Sequence, residues 1–315
     1  MPPHLGHCQL IEFARNFTHD LNIVIGSLAN EPIPGILRYQ WLKELFPHQN
    51  ILHLRDENPQ HPDEDQNFWD IWEASLKRIL DKPIKYVFAS EEYGAKLAEV
   101  LGAEFIPNNA WRNRIPVSGT QIRQSPLRQW NYLPLPVKAY YCRKVAIIGP
   151  ESTGKSCLAE QLSEEFRACL VPEYARTYLQ GREDSFELKD MEKIARGQQA
   201  SVAASMRSGK KILICDTDPL STKIWSQELF GEVDPEVEFL SKDCPYHLTL
   251  LLDVDVPWVE GPLRMRPNNR KQFFLKFQKE LDAQGRDYHI IRGDWSERCR
   301  QARKLLGRLL RPPFA

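Results

Sequence analysis

Gly149-Pro150-Glu151-Ser152-Thr153-Gly154-Lys155-Ser156 fits the P-loop pattern GxxxxGK[ST], and its flanks are the ones that pattern requires. Lys144-Val145-Ala146-Ile147-Ile148 before it is short, apolar and rich in β-branched residues, as a buried strand is. Cys157-Leu158-Ala159-Glu160-Gln161-Leu162 after it has helical spacing and good helix formers. Strand, glycine-bounded loop and helix together make a cradle of backbone N–H groups at a helix N-terminus, where polyphosphate is stabilised. In that cradle Gly149, Glu151, Ser152, Thr153 and Gly154 surround the phosphates, Lys155 reaches the β/γ-phosphates, and the Ser156 hydroxyl ligates Mg²⁺. The bland alternative is a glycine-rich turn that binds nothing, and the paired strand and helix weigh against it. A nucleoside triphosphate site is expected here.

Downstream of this unit, strands are expected at Cys169–Pro172, Lys211–Asp216, Leu248–Val254 and His289–Ile291, with helices over Ser185–Met206 and Ser296–Leu310. Ligands of open α/β sheets sit at the carboxyl ends of the strands, so the residues after each strand matter most. Asp216 ends one strand where a P-loop enzyme places the acid that holds Mg²⁺, and Asp218 lies two residues on; the competing explanation is an acidic turn. Glu173-Tyr174-Ala175-Arg176 follows another strand. A carboxylate there can accept the proton of an attacking hydroxyl, Tyr174 can stack on a ring, and Arg176 joins the candidate substrate residues with Asp218 and Trp258. Arg264, Arg266 and Arg270 have the spacing of a lid whose guanidinium groups close on the transferring phosphoryl group, against which stands a merely basic surface loop. With no guanine-reading NKxD motif, these parts suit phosphoryl transfer to a small hydroxyl acceptor better than a GTPase switch or a motor.

The chain of 315 residues is long enough for about two domains. Lys+Arg and Asp+Glu are equal at 42 each, so no global field draws the chain to nucleic acid or to a membrane surface. Neither a bilayer-length apolar run nor a signal-peptide pattern is visible, and the seven cysteines are scattered, odd in number and never spaced CxxC. Reduced thiols and a cytoplasmic location are the expectation.

Upstream of the P-loop, strands at Asn22–Gly26, Asn50–Leu54, Lys85–Ser90 and Glu104–Pro107 alternate with helices at Cys8–Phe17, Gly35–Phe46, Asn67–Leu80 and Tyr93–Leu101. That alternation predicts a second parallel, doubly wound sheet, so the fold class is α/β with two such domains. The segment Gln124–Tyr141, with Pro126, Pro134 and Pro136, breaks the rhythm and marks the boundary; the domains are expected at 1–136 and 142–315. His4-Leu5-Gly6-His7 places two imidazoles around a glycine at a helix start, and Ser118-Gly119-Thr120-Gln121-Ile122-Arg123 offers hydroxyls, N–H groups and a guanidinium at another. Both suit phosphate, although HxGH alone is weak.

These two motifs resemble the HxGH and [ST]xxxR signatures of the nucleotidyltransferase superfamily. Joined to the P-loop, and to Ala89-Ser90-Glu91-Glu92-Tyr93-Gly94, Pro172-Glu173-Tyr174-Ala175-Arg176 and Asp216-Thr217-Asp218, they are similar to the bifunctional NadR-type proteins over essentially the whole chain. The resemblance implies a Rossmann-like nicotinamide-nucleotide adenylyltransferase followed by a ribosylnicotinamide kinase, working on ATP, nicotinamide riboside and its mononucleotide (NMN), with Mg²⁺. It implies that Lys155 and the loop amides hold the kinase ATP phosphates, Ser156 and Asp216 the Mg²⁺, and Arg264 and Arg270 the transition-state charge. Glu173, then Asp216, are the candidate bases, and Tyr174 and Trp258 would flank the pyridinium ring. His4, His7, Ser118, Thr120 and Arg123 would hold the phosphates of the second ATP. No nucleic-acid or membrane role is implied, since the helix-turn-helix segment of some relatives does not precede this sequence; a homo-oligomer is compatible with it. The family's motif follows a strand and a GxFxP turn, whereas this sequence opens at Met1-Pro2-Pro3-His4, so the first domain is expected to lack its first strand. Either the start lies upstream or the adenylyltransferase half has decayed; the intact motif residues favour the former. A kinase of another nucleoside-like acceptor with a non-catalytic first domain, and a non-enzymatic ATP/NAD sensor, are the alternative functions.

Overall fold

The computed structural model describes residues 2–108, 115–182, 185–243, 245–260 and 269–311. The chain divides into two compact units, Met1–Val137 and Lys138–Ala315.

The first unit opens with α1 (Leu5–Phe17), then β1 (Asn22–Gly26), α2 (Gly35–Leu45), β2 (Asn50–Leu54), α3 (Phe68–Ile79), β3 (Tyr86–Ala89), α4 (Tyr93–Val100), β4 (Glu104–Pro107) and α5 (Gly119–Gln124). β1 pairs with β2 in parallel, Asn22 opposite Asn50 through Gly26 opposite Leu54, and β3 pairs with β4 in parallel, Tyr86 opposite Glu104. Among the described residues these are two separate two-stranded sheets, which corrects the expectation of one continuous sheet. The apolar faces are nonetheless buried as the periodicity requires: Ile11 of α1, Ile25 of β1, Leu42 and Phe46 at α2, and Ile51 of β2 form one core. α1 reaches the other pair too, with Phe13 against Phe88 at 6.2 Å and Phe17 against Tyr86 at 5.2 Å between ring centroids, both edge-on. α4 lies so close to β3 and β4 that a Cβ on Gly94 would stand 2.5 Å from the Phe105 ring.

In chain order the boundary falls within α6 (Leu135–Tyr141), which is followed by β5 (Arg143–Ile148), α7 (Lys155–Glu165), β6 (Cys169–Val171), α8 (Tyr174–Leu179), α9 (Leu188–Ser205), β7 (Ile212–Asp216), α10 (Pro219–Phe230), α11 (Pro235–Lys242), β8 (Leu248–Leu252), α12 (Arg270–Ala283), β9 (His289–Ile291) and α13 (Trp295–Leu309). The five strands form one parallel sheet in the order β6-β7-β5-β8-β9. Strand alternation sends Val145 and Ile147 to one face, where they pack with Leu158 and Leu162 of α7 and Ala302 and Leu306 of α13. Ala146 and Ile148 face the other side, against Leu220 and Ile224 of α10 and Phe273, Phe274 and Phe277 of α12. Covered on both faces, the central strands are continuous apolar runs rather than alternating ones. Fully burying one such side chain stabilises the fold by about 1.5–3 kcal/mol, so the sheet that carries the P-loop is a rigid platform.

Sequence periodicity did not disclose α10, α11 and α12. α10 and α11 nevertheless carry readable starts: Asp218 and Asp234 accept from the amides of Ser221 and Glu236, with Pro219 and Pro235 at the first helical position.

Candidate active sites

In the second unit, the carboxyl end of β5 leads into a loop whose shape dictates its residues. Gly149 has φ +140°, and a Cβ there would lie 2.8 Å from the Leu252 carbonyl oxygen of β8; Gly154 has φ +83°, with the Trp295 ring 2.1 Å from the Cβ position. Only glycine fits either place. Thr153 is buried and its hydroxyl donates to the Pro150 carbonyl at 2.8 Å, while Lys155 Nζ donates to the same oxygen at 2.8 Å. Ser156 Oγ donates to Asp216 Oδ2 at 2.6 Å, and Arg176, itself paired with Glu173 at 2.7 Å, donates to Ser156 Oγ at 3.0 Å. Lys155, Ser156, Glu173, Arg176 and Asp216 are therefore brought together by β5, α7, α8 and β7. Burial lowers the pKa of Lys155, with Glu173 and Asp216 opposing it, and burial raises that of Asp216, with Lys155 opposing. Asp216 Oδ1 is buried and has no hydrogen-bond partner. An oxygen acceptor in that state beside a serine hydroxyl at a helix start suits a hard divalent cation, which takes few protein ligands and keeps water and phosphate oxygens for the rest.

Beside this cluster opens a cavity of about 850 Å³. Its lining joins the polar Glu151, Ser152, Lys155, Ser156, Glu173 and Arg176 to the apolar Leu179, Phe186, Met191, Ile194, Trp225 and Leu229. Gln198 lines it as well; its Oε1 accepts from the Tyr174 amide at 2.8 Å, and its Nε2 is buried without a partner. Met191, Ile194 and Gln198 share one face of α9 at helical spacing, the signal by which Gln198 could have been found. Trp225 sits on α10, a helix with no sequence motif to draw attention to it.

Three expected substrate residues lie elsewhere. Tyr174 packs its ring onto α9, where a Cβ on Gly197 would meet it at 2.0 Å, so it is held as a helix contact rather than offered to a ligand. Asp218 is fully buried: it caps α10 and accepts from Arg286 at 2.6 Å, and that carboxylate is committed. Trp258 donates to Glu260 at 2.9 Å and stacks beneath Arg270, outside the cavity lining. Arg270 corrects the lid expectation in part, because it begins α12 and donates to the carbonyls of Val256 at 2.9 Å and Ser152 at 3.2 Å, bracing the P-loop. Arg264 and Arg266 lie outside the described residues. Asp253 pairs with Arg292 at 2.7 Å, and Asp255 accepts from the Gly293 amide at 2.6 Å and pairs with Arg298.

In the first unit His4 is the N-cap of α1: its Nδ1 accepts from the Gly6 amide at 3.1 Å, and His7 Nδ1 accepts from the His4 amide at 3.3 Å. The rings lie 3.9 Å apart, and a Cβ on Gly6 would fall 2.8 Å from the His4 ring. Burial pushes His4 down to about 4 and His7 to about 3. With Nδ1 accepting, each neutral ring carries its proton on Nε2 and is a hydrogen-bond donor rather than a cation. Ser118 caps α5 reciprocally with Gln121, and Arg123 donates to Thr120 Oγ1 at 3.2 Å while its other terminal nitrogen is buried without a partner. Ile115 approaches the Gly6 Cβ position to 3.9 Å, so the strand of chain leading to Ser118 runs beside the His4–His7 turn.

Residues 144–298 match the family model described as an AAA domain. The trifunctional NAD biosynthesis/regulator protein NadR of Escherichia coli (strain K12) is 31% identical over 296 residues, covering 86% of this chain and 72% of that protein. Its counterpart from Salmonella typhimurium (strain LT2) is 30% identical over 284 residues, covering 84% and 69%. Two crystal structures of NadR protein, one in complex with NAD and AMP-PNP and one with NR, superpose with a TM-score of 0.81 at 21% and 22% identity, each covering 98% of this chain and 93% of the other. The likeness in fold spans both units, and the likeness in sequence runs over most of both chains: this chain belongs to the NadR family.

Proposed function

We propose that the second unit phosphorylates the 5′-hydroxyl of nicotinamide riboside with MgATP, and that the first transfers the adenylyl group of a second ATP to the resulting mononucleotide, giving NAD and pyrophosphate. The observation that carries the kinase half is the meeting of Lys155, the Ser156–Asp216 pair and Glu173 beside one cavity that is also lined by apolar and aromatic side chains. The family's printed role in NAD biosynthesis, and a related structure in complex with NR, fit an acceptor with a flat aromatic head and a primary hydroxyl.

In the kinase, the P-loop amides and Lys155 hold the β- and γ-phosphates of ATP. Ser156 and Asp216 are the residues that would hold Mg²⁺, which when bound neutralises charge on the β/γ oxygens. Glu173 orients the acceptor hydroxyl and takes its proton as the oxygen bonds to the γ-phosphorus and ADP leaves; it lines the cavity, whereas Asp216 is committed to Ser156. Arg176 holds Glu173 in place. Trp225 supplies the aromatic face for the pyridinium ring, and the free Nε2 of Gln198 donates to a ribose or carboxamide oxygen. In the first unit the neutral His4 and His7 rings and Arg123 steady the triphosphate while a phosphate oxygen of the mononucleotide attacks the α-phosphorus. The two units act as separate α/β domains, parted near 137.

Incubating the whole chain with MgATP and nicotinamide riboside, then resolving mononucleotide and dinucleotide, tests both halves. Lys155→Ala should abolish mononucleotide formation yet leave NAD formation from supplied mononucleotide intact, and His7→Ala the reverse. Turnover of other nucleosides at equal or better kcat/KM would refute the acceptor assignment.

A further inference from the structure

Among the described residues three other than glycine have positive φ, Ser152, Arg167 and Thr217, and of these only Thr217, at +79°, is β-branched. A branched Cβ is crowded in that conformation, which glycine or asparagine adopts at little cost, so threonine is an outlier there. Its neighbours hold it in place. The Thr217 amide donates to the Ile147 carbonyl of β5 at 3.0 Å, and Asp218, the next residue, caps α10. Backbone strain that the surroundings fix in this way collects at functional sites.

The side chain is as unusual as the backbone. Thr217 is 6% exposed and lines the kinase cavity, and its Oγ1 is buried without a hydrogen-bond partner. A buried hydroxyl that nothing in the protein satisfies takes its partner from outside the chain. Asp216, one residue back, is turned to Ser156 and lies outside that lining. Phosphate oxygens only accept, and the P-loop amides and the ammonium of Lys155 already serve them. A hydroxyl both donates and accepts, which matches another hydroxyl. The start of α10 shows which one. This helix begins two residues beyond Thr217, and Trp225 lies roughly 9 Å along its axis, at 1.5 Å per residue. Thr222, buried in the first turn, lines the cavity between them in sequence. An acceptor whose ring meets Trp225 therefore brings its sugar to the start of α10, beside Thr217.

We propose that Thr217 determines the sugar specificity of the kinase: its hydroxyl binds a ring hydroxyl of the acceptor's ribose, and the site refuses the deoxy acceptor that lacks this group. The proposal rests on the kinase reading above and adds to it the residue that tells ribosides from deoxyribosides. A site built around a substrate hydroxyl rejects the analogue without it, because the protein group is then left buried and unpaired.

The test measures kcat/KM of the full chain with MgATP for nicotinamide riboside and for its 2′-deoxy and 3′-deoxy analogues. Wild type should use at least one deoxy analogue about 10–100-fold less well than the riboside. Thr217→Val, which keeps the branch, and Thr217→Gly, which relieves the strained φ, both remove the hydroxyl. Both should lose the preference, mainly through poorer use of the riboside, whereas Thr217→Ser should keep it. ATP affinity by calorimetry should not change in any of the three, and Thr217→Gly should melt no lower than wild type. A preference kept by both the valine and the glycine variants, or deoxy analogues used as well as the riboside by wild type, would overturn the assignment. So would a loss of ATP affinity as large as the loss of acceptor turnover, which would give the hydroxyl to phosphate. Wild-type turnover of another nucleoside in place of nicotinamide riboside would refute only the choice of base, and the same comparison on that nucleoside and its deoxy forms would still decide the role of Thr217. Turnover of no nucleoside at all would refute both readings.

Discussion

Replacing Arg298 by alanine should cost the kinase unit more stability than any substitution on its surface. The guanidinium is fully buried and donates to the carbonyls of Gly293 at 2.9 Å, Thr153 at 2.7 Å and Asp253 at 2.8 Å, and pairs with Asp255. It thereby ties the P-loop, the end of β8 and the start of α13 to one side chain. Removing it leaves three acceptor carbonyls short of a donor at about 1–3 kcal/mol each, about 3–5 kcal/mol together, while Asp255, more than a third exposed, can turn to water and adds little. A unit of the size Lys138–Ala315 loses roughly 2–4 °C per kcal/mol, so the melting transition should fall by roughly 6–20 °C. The transition to follow is the one that saturating MgATP raises, which identifies the kinase unit within the two-unit chain. Arg298→Lys should fall in between, since an ammonium keeps the charge but cannot fork to the same acceptors. Asp255 adds a pH signature. Burial raises its pKa, but the Gly293 amide and Arg298 more than offset that and hold it below the ordinary carboxylate range. A depressed folded pKa means stability that is present above the unfolded pKa and lost as pH falls through the folded one. Without Arg298 the folded pKa moves up and that contribution shrinks at neutral pH. A drop of less than about 3 °C, near 1 kcal/mol, would refute the claim that Arg298 organises the loop.

Other perturbations separate the parts of the two sites. Gly149→Ala should abolish ATP binding to the kinase with the fold largely intact, because its Cβ meets the Leu252 backbone at 2.8 Å; unchanged ATP affinity by calorimetry would contradict the loop geometry. Trp225→Ala should raise the acceptor KM roughly tenfold, about 1.4 kcal/mol, while leaving the ATP KM alone, and equal effects on both would remove Trp225 from the acceptor end. His4 and His7, lowered to about 4 and 3, contribute stability that is fully present above about 6.5 and is lost as pH falls toward those values. Urea midpoints between pH 7 and 4 should therefore decline less steeply in His7→Gln than in wild type; identical slopes would show that the histidines are not buried neutral.

Much of the site was readable from local pattern. The P-loop, the acid at the end of β7 and the helix starts at His4 and Ser118 are short-range features, since spacing, glycine content and capping chemistry act within a few residues. What pattern missed was long-range. Asp216 and Asp218 are two residues apart and look equivalent, yet Asp216 faces Ser156 while Asp218 is enclosed with Arg286, sixty-eight positions away. Trp225 and Gln198 carry no motif, and they reach the cavity only because α10 packs against α9. Tyr174, the aromatic beside the expected base, was claimed by Gly197.

By itself, then, the sequence determined that the chain is α/β, where the P-loop lies, and which residues cap the helix starts at His4 and Ser118. Each of these rests on backbone preferences and periodicities set by neighbouring residues. Tertiary structure alone decided which carboxylate faces the P-loop serine, which aromatic meets the cavity, that Arg298 anchors the P-loop, and that, among the described residues, β1 and β3 lie in separate sheets. These outcomes depend on contacts between residues distant in the chain, whose partners are chosen by packing and by the need to pair every buried polar group, and no local pattern records that choice.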